Sequence, residues 1–274
     1  MSTKRISLAI VLALFLLMPA FGCTAPTVQQ TLLKDTTAQI QKAVQTALDN
    51  LDRDMSAAAS QISRTGLSGT DTRTILDGLV TKYPFIIDAI TTDAPGIMVT
   101  VAPDSYASYE GTDISQQDVT IKFNESKKPM LSQMFTAVED MDAVVLMWPI
   151  ISDKGDFMGS LSALFIPETL FTAVSEPALQ GTGISMNVIQ TDGLNIYDSE
   201  GYDTGKNLFT DPSFQPYPEL IAVGHQMITG KPGCGSYTFL DNSTGKVVKK
   251  DSAWATVKLH DTAWPMLFIK NVAE

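Results

Sequence analysis

The residues able to do covalent or metal chemistry are few. The chain holds two histidines, His225 and His260, and two cysteines, Cys23 and Cys234. Neither histidine has a second histidine or a carboxylate in the spacing that builds a zinc site. There is no Gly-x-Ser-x-Gly elbow, no glycine loop that cradles phosphate and no Cys-x-x-Cys pair. Gly201 and Gly205 bracket Asp203, whose charge repels a phosphate. His260 stands in Leu259-His260-Asp261-Thr262, which reads as a hairpin turn with a solvated ring. Asn124-Glu125-Ser126 and Asn242-Ser243-Thr244 match the glycosylation sequon, a pattern common by chance. The expectation is no enzyme, no metal and no cofactor. The chemistry left is reversible recognition by rings, amides and hydroxyls.

The N-terminus says where that recognition takes place. Lys4 and Arg5 precede an apolar stretch over residues 6–18, which ends at Pro19 and Ala20-Phe21-Gly22-Cys23. About 13 apolar residues suit the hydrophobic region of an export signal, whereas a spanning helix needs roughly 20. The end of this segment resembles a lipobox, whose cysteine receives a diacylglyceryl group. Lipid at Cys23, an uncleaved anchor and plain secretion all leave the bulk of the chain outside the cytoplasm.

The formal charge of -11 becomes more negative once Lys4 and Arg5 are removed, which argues against nucleic acid and against anionic lipid surfaces. With Cys23 assigned to lipid, Cys234 in Gly233-Cys234-Gly235 is left alone as a small turn residue, and no intramolecular disulfide is expected. No second apolar segment of spanning length follows. The expectation is a chain that passes its signal to a partner, through a membrane protein or a second copy meeting the long helix.

The elements that position any site can be read from periodicity. Leu33, Thr37, Ile40, Val44, Leu48, Leu51, Met55, Ala58 and Ile62 recur in steps of three and four, which predicts one helix over residues 28–65. It could serve as a spacer, a dimerisation stalk or a spine. A short helix from Thr70 or Asp71 to Val80 follows, stopped by Tyr83-Pro84. Strands are predicted over 85–92, 97–102, 130–135, 143–150 and 158–165, with a loop and helix over 104–126. After a connecting helix and linker over 167–183 the pattern repeats. Strands over 184–190 and 194–198 precede a helix over 218–229 and three strands over 236–240, 247–259 and 264–270. The fold class is α+β, each half an antiparallel sheet flanked by helices.

This arrangement, over residues 30–272, resembles the double Cache (PAS-like) extracytoplasmic sensor domains. The strings that carry the resemblance are Gly111-Thr112-Asp113-Ile114-Ser115, Trp148-Pro149-Ile150, and Asp153-Lys154-Gly155-Asp156-Phe157-Met158-Gly159 in the first half. In the second half they are Asp192-Gly193-Leu194-Asn195-Ile196-Tyr197-Asp198 and Thr204-Gly205-Lys206-Asn207, with Trp264 near the end. Behind the signal segment over 1–23 and the stalk helix over 28–65 already read from the residues, the resemblance implies a membrane-distal module over 66–166 and a membrane-proximal module over 184–272. It also implies a small-molecule ligand in the distal module, around Tyr106, Tyr109, Asp113, Gln117, Ser132 and Trp148. Analogous candidates in the second module are Tyr197, Asp198, Tyr217, His225 and Tyr237.

Many members hold α-amino acids with an Arg-x-Trp-aromatic string and a late Asp. Here Gln117, Val119 and Thr120 stand at the string's positions, and the late Asp falls near Leu164. The expectation is therefore a neutral or weakly polar ligand and not a typical α-amino acid. The resemblance implies a membrane-anchored sensor that signals through a partner. The alternative is a ligand-free structural or adaptor lipoprotein, in which Met130, Trp148 and Phe165 fill the space between helix and sheet.

Overall fold

The computed structural model describes residues 28–272. The readings of an export signal and of lipid at Cys23 lie outside these residues. Val28–Thr65 form one helix, α1, of 38 residues, about 57 Å long at 1.5 Å per residue. Leu33, Ile40, Val44, Leu48, Leu51, Met55 and Ile62 each expose 2% or less. The opposite face carries exposed Lys34, Asp35, Lys42, Asp49 and Arg53. Gly66, at φ +94°, turns the chain out of α1 with its N–H on the Ile62 carbonyl at 2.9 Å. A second helix, α2, spans Thr70–Lys82.

Two antiparallel sheets follow. The first contains β1 (Ile86–Asp93), β2 (Met98–Ala102), β3 (Met130–Leu131), β4 (Phe135–Thr136), β5 (Asp142–Ile151) and β6 (Phe157–Phe165). A 3-10 helix, Asp104–Tyr109, and α3, Asp118–Ser126, lie between β2 and β3. After α4 (Pro167–Leu179) the second sheet contains β7 (Ser185–Ile189), β8 (Asn195–Asp198), β9 (Gly233–Asp241), β10 (Lys246–Leu259) and β11 (Thr262–Asn271). Helix α5, Pro218–Met227, precedes β9. The strand orders are β2-β1-β6-β5-β3, with β4 also on β5, and β8-β7-β11-β10-β9. Each sheet thus runs from its second strand through its first, last and penultimate to its third. The repeated α+β pattern read from the sequence is present as two modules of one topology.

Strand alternation gives each sheet two unlike faces. Val144, Leu146, Leu161, Ala163 and Phe165 of the first sheet, and Ala253, Val257, Trp264, Met266 and Phe268 of the second, share one core with the α1 stripe. The long helix is therefore a spine, its apolar side used up within the chain. The other faces are covered separately, by α3 over Val145, Met147 and Leu164 and by α5 over Trp254, Leu267 and Ile269.

Polar contacts fix the modules to each other. Asp52 of α1 accepts a hydrogen bond at Oδ1 from Trp148 Nε1 at 2.8 Å, and His260 Nε2 lies 2.7 Å from the same oxygen. Thr262 Oγ1 donates to the Leu131 carbonyl, and Met134 N–H to Gln190 Oε1 at 2.6 Å. The last contact explains one departure from expectation. The strand over 130–135 splits into β3 and β4, because Met134 turns its N–H to the second module while Ser132 satisfies β5, its Oγ accepting from Val145 N–H at 2.9 Å.

A second departure concerns Cys234, which is disulfide-bonded. The expectation that it stands alone rested on giving the Cys23 sulfur to lipid. Cys23 is the sequence's other cysteine and lies outside the described residues.

Leu51 is fully buried where the stripe meets the core. Leu51→Ala is expected to lower unfolding stability by about 3 kcal/mol through the cavity it leaves, read by denaturant titration. An exposed change on the outer face, Lys42→Ala, should stay within about 0.5 kcal/mol.

Candidate ligand cavity in the first module

The face of the first sheet turned away from α1 carries an unfilled space. A cleft open to solvent lies between the sheet, α3 and the segment from Phe135 to Glu139, with about 390 Å³ of space counted out through its mouth. Its walls include Ile90, Met98, Val119, Met147 and Leu164, and its polar lining is Asp88, Gln117, Thr120, Glu139 and Ser162. Gln117 and Glu139 are half-buried, so the cavity reaches solvent on their side.

Asp88 is the group that the sequence pattern least prepares for. It interrupts an apolar run on β1, is 2% exposed, and has its carboxylate facing the cavity. Its Oδ2 is buried without a hydrogen-bond partner, and so is Thr120 Oγ1. Burial first, then the Glu139 carboxylate beside it, push the Asp88 carboxyl up to about 8. Two ionised carboxylates offer each other no donor. A proton on Asp88 supplies one and lets it donate to Glu139.

Of the six residues expected at the ligand, Gln117 alone lines this cavity. Tyr106 and Tyr109, ring centroids 6.2 Å apart, pack on Ile90, Met98 and Ile114 one layer behind the wall. Asp113 is exposed and accepts from Ser115 N–H at 2.9 Å, the Ser115 hydroxyl and N–H holding its carboxyl below the usual range. Ser132 is spent on Val145. Trp148 lies on the other face: as a neighbour of Met147 on β5 it must point oppositely, and its indole reaches Asp52. Phe165 belongs to the α1 core as well, so neither ring fills the cavity.

Asp88 and Glu139 were not singled out from the sequence. The available signal was a charge inside the run Ile86-Ile87-Asp88-Ala89-Ile90. In register, Asp88 pairs with Leu164, the position near which the resemblance places a ligand-binding Asp. The carboxylate missing from β6 is present one strand over.

The second module has a cleft of about 590 Å³ beneath α5, lined by Tyr237, Phe214, Phe239, Leu220, Met227 and Lys250 among others. Two of its acids, Asp198 and Asp203, are engaged. Asp198 accepts from the N–H groups of Glu200, Tyr202 and Asp203, each at 2.9 Å, and Asp203 pairs with Lys206 at 2.9 Å. Tyr197 sits on the α1 side near Ser175, Tyr217 meets Phe239 edge-on, and His225 stacks on Phe209 at 4.4 Å. None of the orphaned buried side-chain atoms lies in this cleft.

Comparison with known proteins agrees with this architecture. Residues 46–167 match the family model described as HK/GC/Chemotaxis protein-like, sensor domain. An extracellular ligand binding receptor from Desulfohalobium retbaense is similar at 28% identity with a TM-score of 0.73, over 87% of this chain. This chain spans 40% of the length of that receptor. The extracellular domain of the putative histidine kinase rpHK1S-Z16 aligns with a TM-score of 0.68 at 15% identity, over 88% of this chain and 94% of that one. The periplasmic sensory domain of the Campylobacter jejuni chemoreceptor Tlp1 aligns with a TM-score of 0.59 at 14% identity, over 88% and 92% respectively; the likeness to these two is one of fold. Among curated proteins none matches in sequence.

The Asp88 proton gives the free protein a testable pH dependence. The folded chain holds it up to about pH 8, an unfolded aspartate only to about 4. The folded state thus binds more protons in between, and its stability falls as pH rises through that window. Asp88→Asn should flatten this slope and melt above wild type at about pH 9, read as thermal midpoints across the range.

Proposed function

We propose that this chain, whose fold is that of the double Cache sensor domains and whose residues 46–167 match a chemotaxis and histidine-kinase sensor model, is an extracytoplasmic small-molecule-binding sensor. Its ligand site is the cavity of the first module, formed by Asp88, Gln117, Thr120, Glu139 and Ser162, with Tyr106 and Tyr109 supporting the wall from behind. The observation that carries this reading is the pair of orphaned atoms, Asp88 Oδ2 and Thr120 Oγ1, at an unfilled cavity. Leaving a buried polar atom unpaired costs about 1–3 kcal/mol, a cost that a ligand with matching donors removes. The adaptor reading needs a filled cavity. Of the three side chains that would fill it, Trp148 and Phe165 face the spine instead, and Met130 packs in the cluster beside Val119 and Met147 without entering the lining.

In this reading ligand contacts act on a sheet whose other face rests on α1, and a partner reads the change at the polar side of α1. The N-terminal segment holds the module at the outer face of the membrane. A sulfur carries either a diacylglyceryl thioether or a disulfide. If Cys23 closes the disulfide at Cys234, its sulfur is not available to lipid, and the apolar stretch or secretion are the remaining fates.

Two measurements test these statements. Thermal-shift screening of the folded chain against a metabolite library should find a ligand that raises the melting temperature, by about 2.7 kcal/mol of stabilisation at a hundredfold excess over Kd. Glu139→Gln and Gln117→Ala should weaken that response. No response to any compound would count decisively against a sensor. For the tether, intact mass and thiol titration of envelope-extracted protein should show no titratable thiol, in keeping with the disulfide at Cys234; an N-terminal cysteine without an acyl chain assigns Cys23 to that disulfide, and an acylated one assigns Cys23 to lipid.

A further inference from the structure

The lining of the first-module cavity is specific in charge. It is built from β1, β2, the loop before α3, α3 itself, the segment from Phe135 to Glu139, β5 and β6. Among the described residues that line it, the titratable ones are Asp88 and Glu139, with no lysine, arginine or histidine. Two like charges beside an apolar wall repel strongly, because the surroundings screen them poorly. Either a proton or a cation must relieve them.

We propose that this cavity binds an organic primary ammonium ion lacking a carboxylate, its charge set between Asp88 and Glu139 and its hydrocarbon part against Ile90, Met98 and Met147. The inference rests on the reading of this cavity as the ligand site. A primary ammonium has three N–H donors. Three acceptors await them: Asp88 Oδ2 and Thr120 Oγ1, both buried without a partner, and the Glu139 carboxylate. A ligand carboxylate, by contrast, finds no cation. Gln117 offers amide hydrogen bonds and no charge. A bare metal ion is a poor fit as well, since two carboxylates among apolar walls leave most of its coordination sphere empty, and no cluster of three acidic, histidine or cysteine ligands occurs among the described residues.

Occupancy by an ammonium displaces the Asp88 proton. The balance is one ammonium in and one proton out to solvent, with no bond made or broken in the ligand. Affinity therefore rises with pH while Asp88 is protonated, and levels off once it is ionised. It falls again only when the amine itself loses its charge, near pH 10 for an alkylamine.

Titration calorimetry of the full chain with n-butylammonium chloride at constant ionic strength tests the inference, with 1-butanol and sodium butyrate as controls. One n-butylammonium should bind per chain. Its affinity should rise about tenfold per pH unit between about pH 6 and 7.5, and neither control should compete. Asp88→Asn, with its fold checked by circular dichroism, should weaken binding at least about thirtyfold and abolish the pH slope, which a merely structural role would leave in place. Glu139→Gln should weaken binding without abolishing the slope. Binding of butyrate or butanol as tight as that of n-butylammonium overturns the proposal, as does an Asp88→Asn protein with wild-type affinity and slope. If a library compound with no amine stabilises the chain and Gln117→Ala removes the effect, the ammonium assignment falls while the sensor reading stands. If neither library nor n-butylammonium binds, both fall.

Discussion

The apolar stripe of α1 is the contact on which everything else in the fold depends. A twisted antiparallel sheet of five or six strands cannot leave both faces open to water, and a single helix cannot bury its own stripe. In this chain one helix, with α2 and α4 beside it, closes one face of two sheets at once, with Leu33 to Ile62 continuous with strand residues of both modules in a single core. The remaining faces are covered by short helices and loop segments, α3 with the run from Phe135 to Glu139 in one module and α5 in the other. Stability is thus concentrated on the spine side, and the lightly covered side is free to hold a cavity.

What makes the first cavity chemically distinct is the cost of an acid where neighbouring side chains are apolar. Asp88 stands on the central part of the sheet, paired through its backbone with Leu164, and its side chain has Glu139 and no cation for company. The second cleft is larger, yet its Asp198 and Asp203 are consumed by backbone N–H groups and by Lys206. Two modules of the same topology have thus spent their carboxylates differently. In the second they shape a loop, and in the first they remain unspent.

Periodicity made most of the architecture legible. The three-and-four spacing of Leu33 to Ile62 gave the spine, and the repeat of hairpin, helix and three strands gave the two sheets, with the break at Ser132 as the main departure. The site was harder to read. A family string points to Gln117, which lines the cavity, whereas Trp148 faces the spine, because the resemblance assigns it to a module and only its parity on β5 assigns it to a face. Met147 and Trp148 are adjacent in sequence and a full sheet thickness apart in function. Asp88 and Glu139 were missed because they lie about fifty residues apart, and nothing local shows that the two meet. A single charge in the run Ile86-Ile87-Asp88-Ala89-Ile90 was the one local sign.

The hydrogen bond from Met134 N–H to Gln190 Oε1 has a mechanical side. Met134 begins the short segment that leads through Phe135 to Glu139, the outer lip of the cavity, and Gln190 closes β7 in the other module beside its Asp192 turn. The lip is therefore hinged at one end on a residue of the neighbouring module. Glu139 and the Asp192 turn of the second module are thus separated only by the short run from Met134 to Glu139 and one hydrogen bond, so the lip of the first cavity has its anchorage outside its own module.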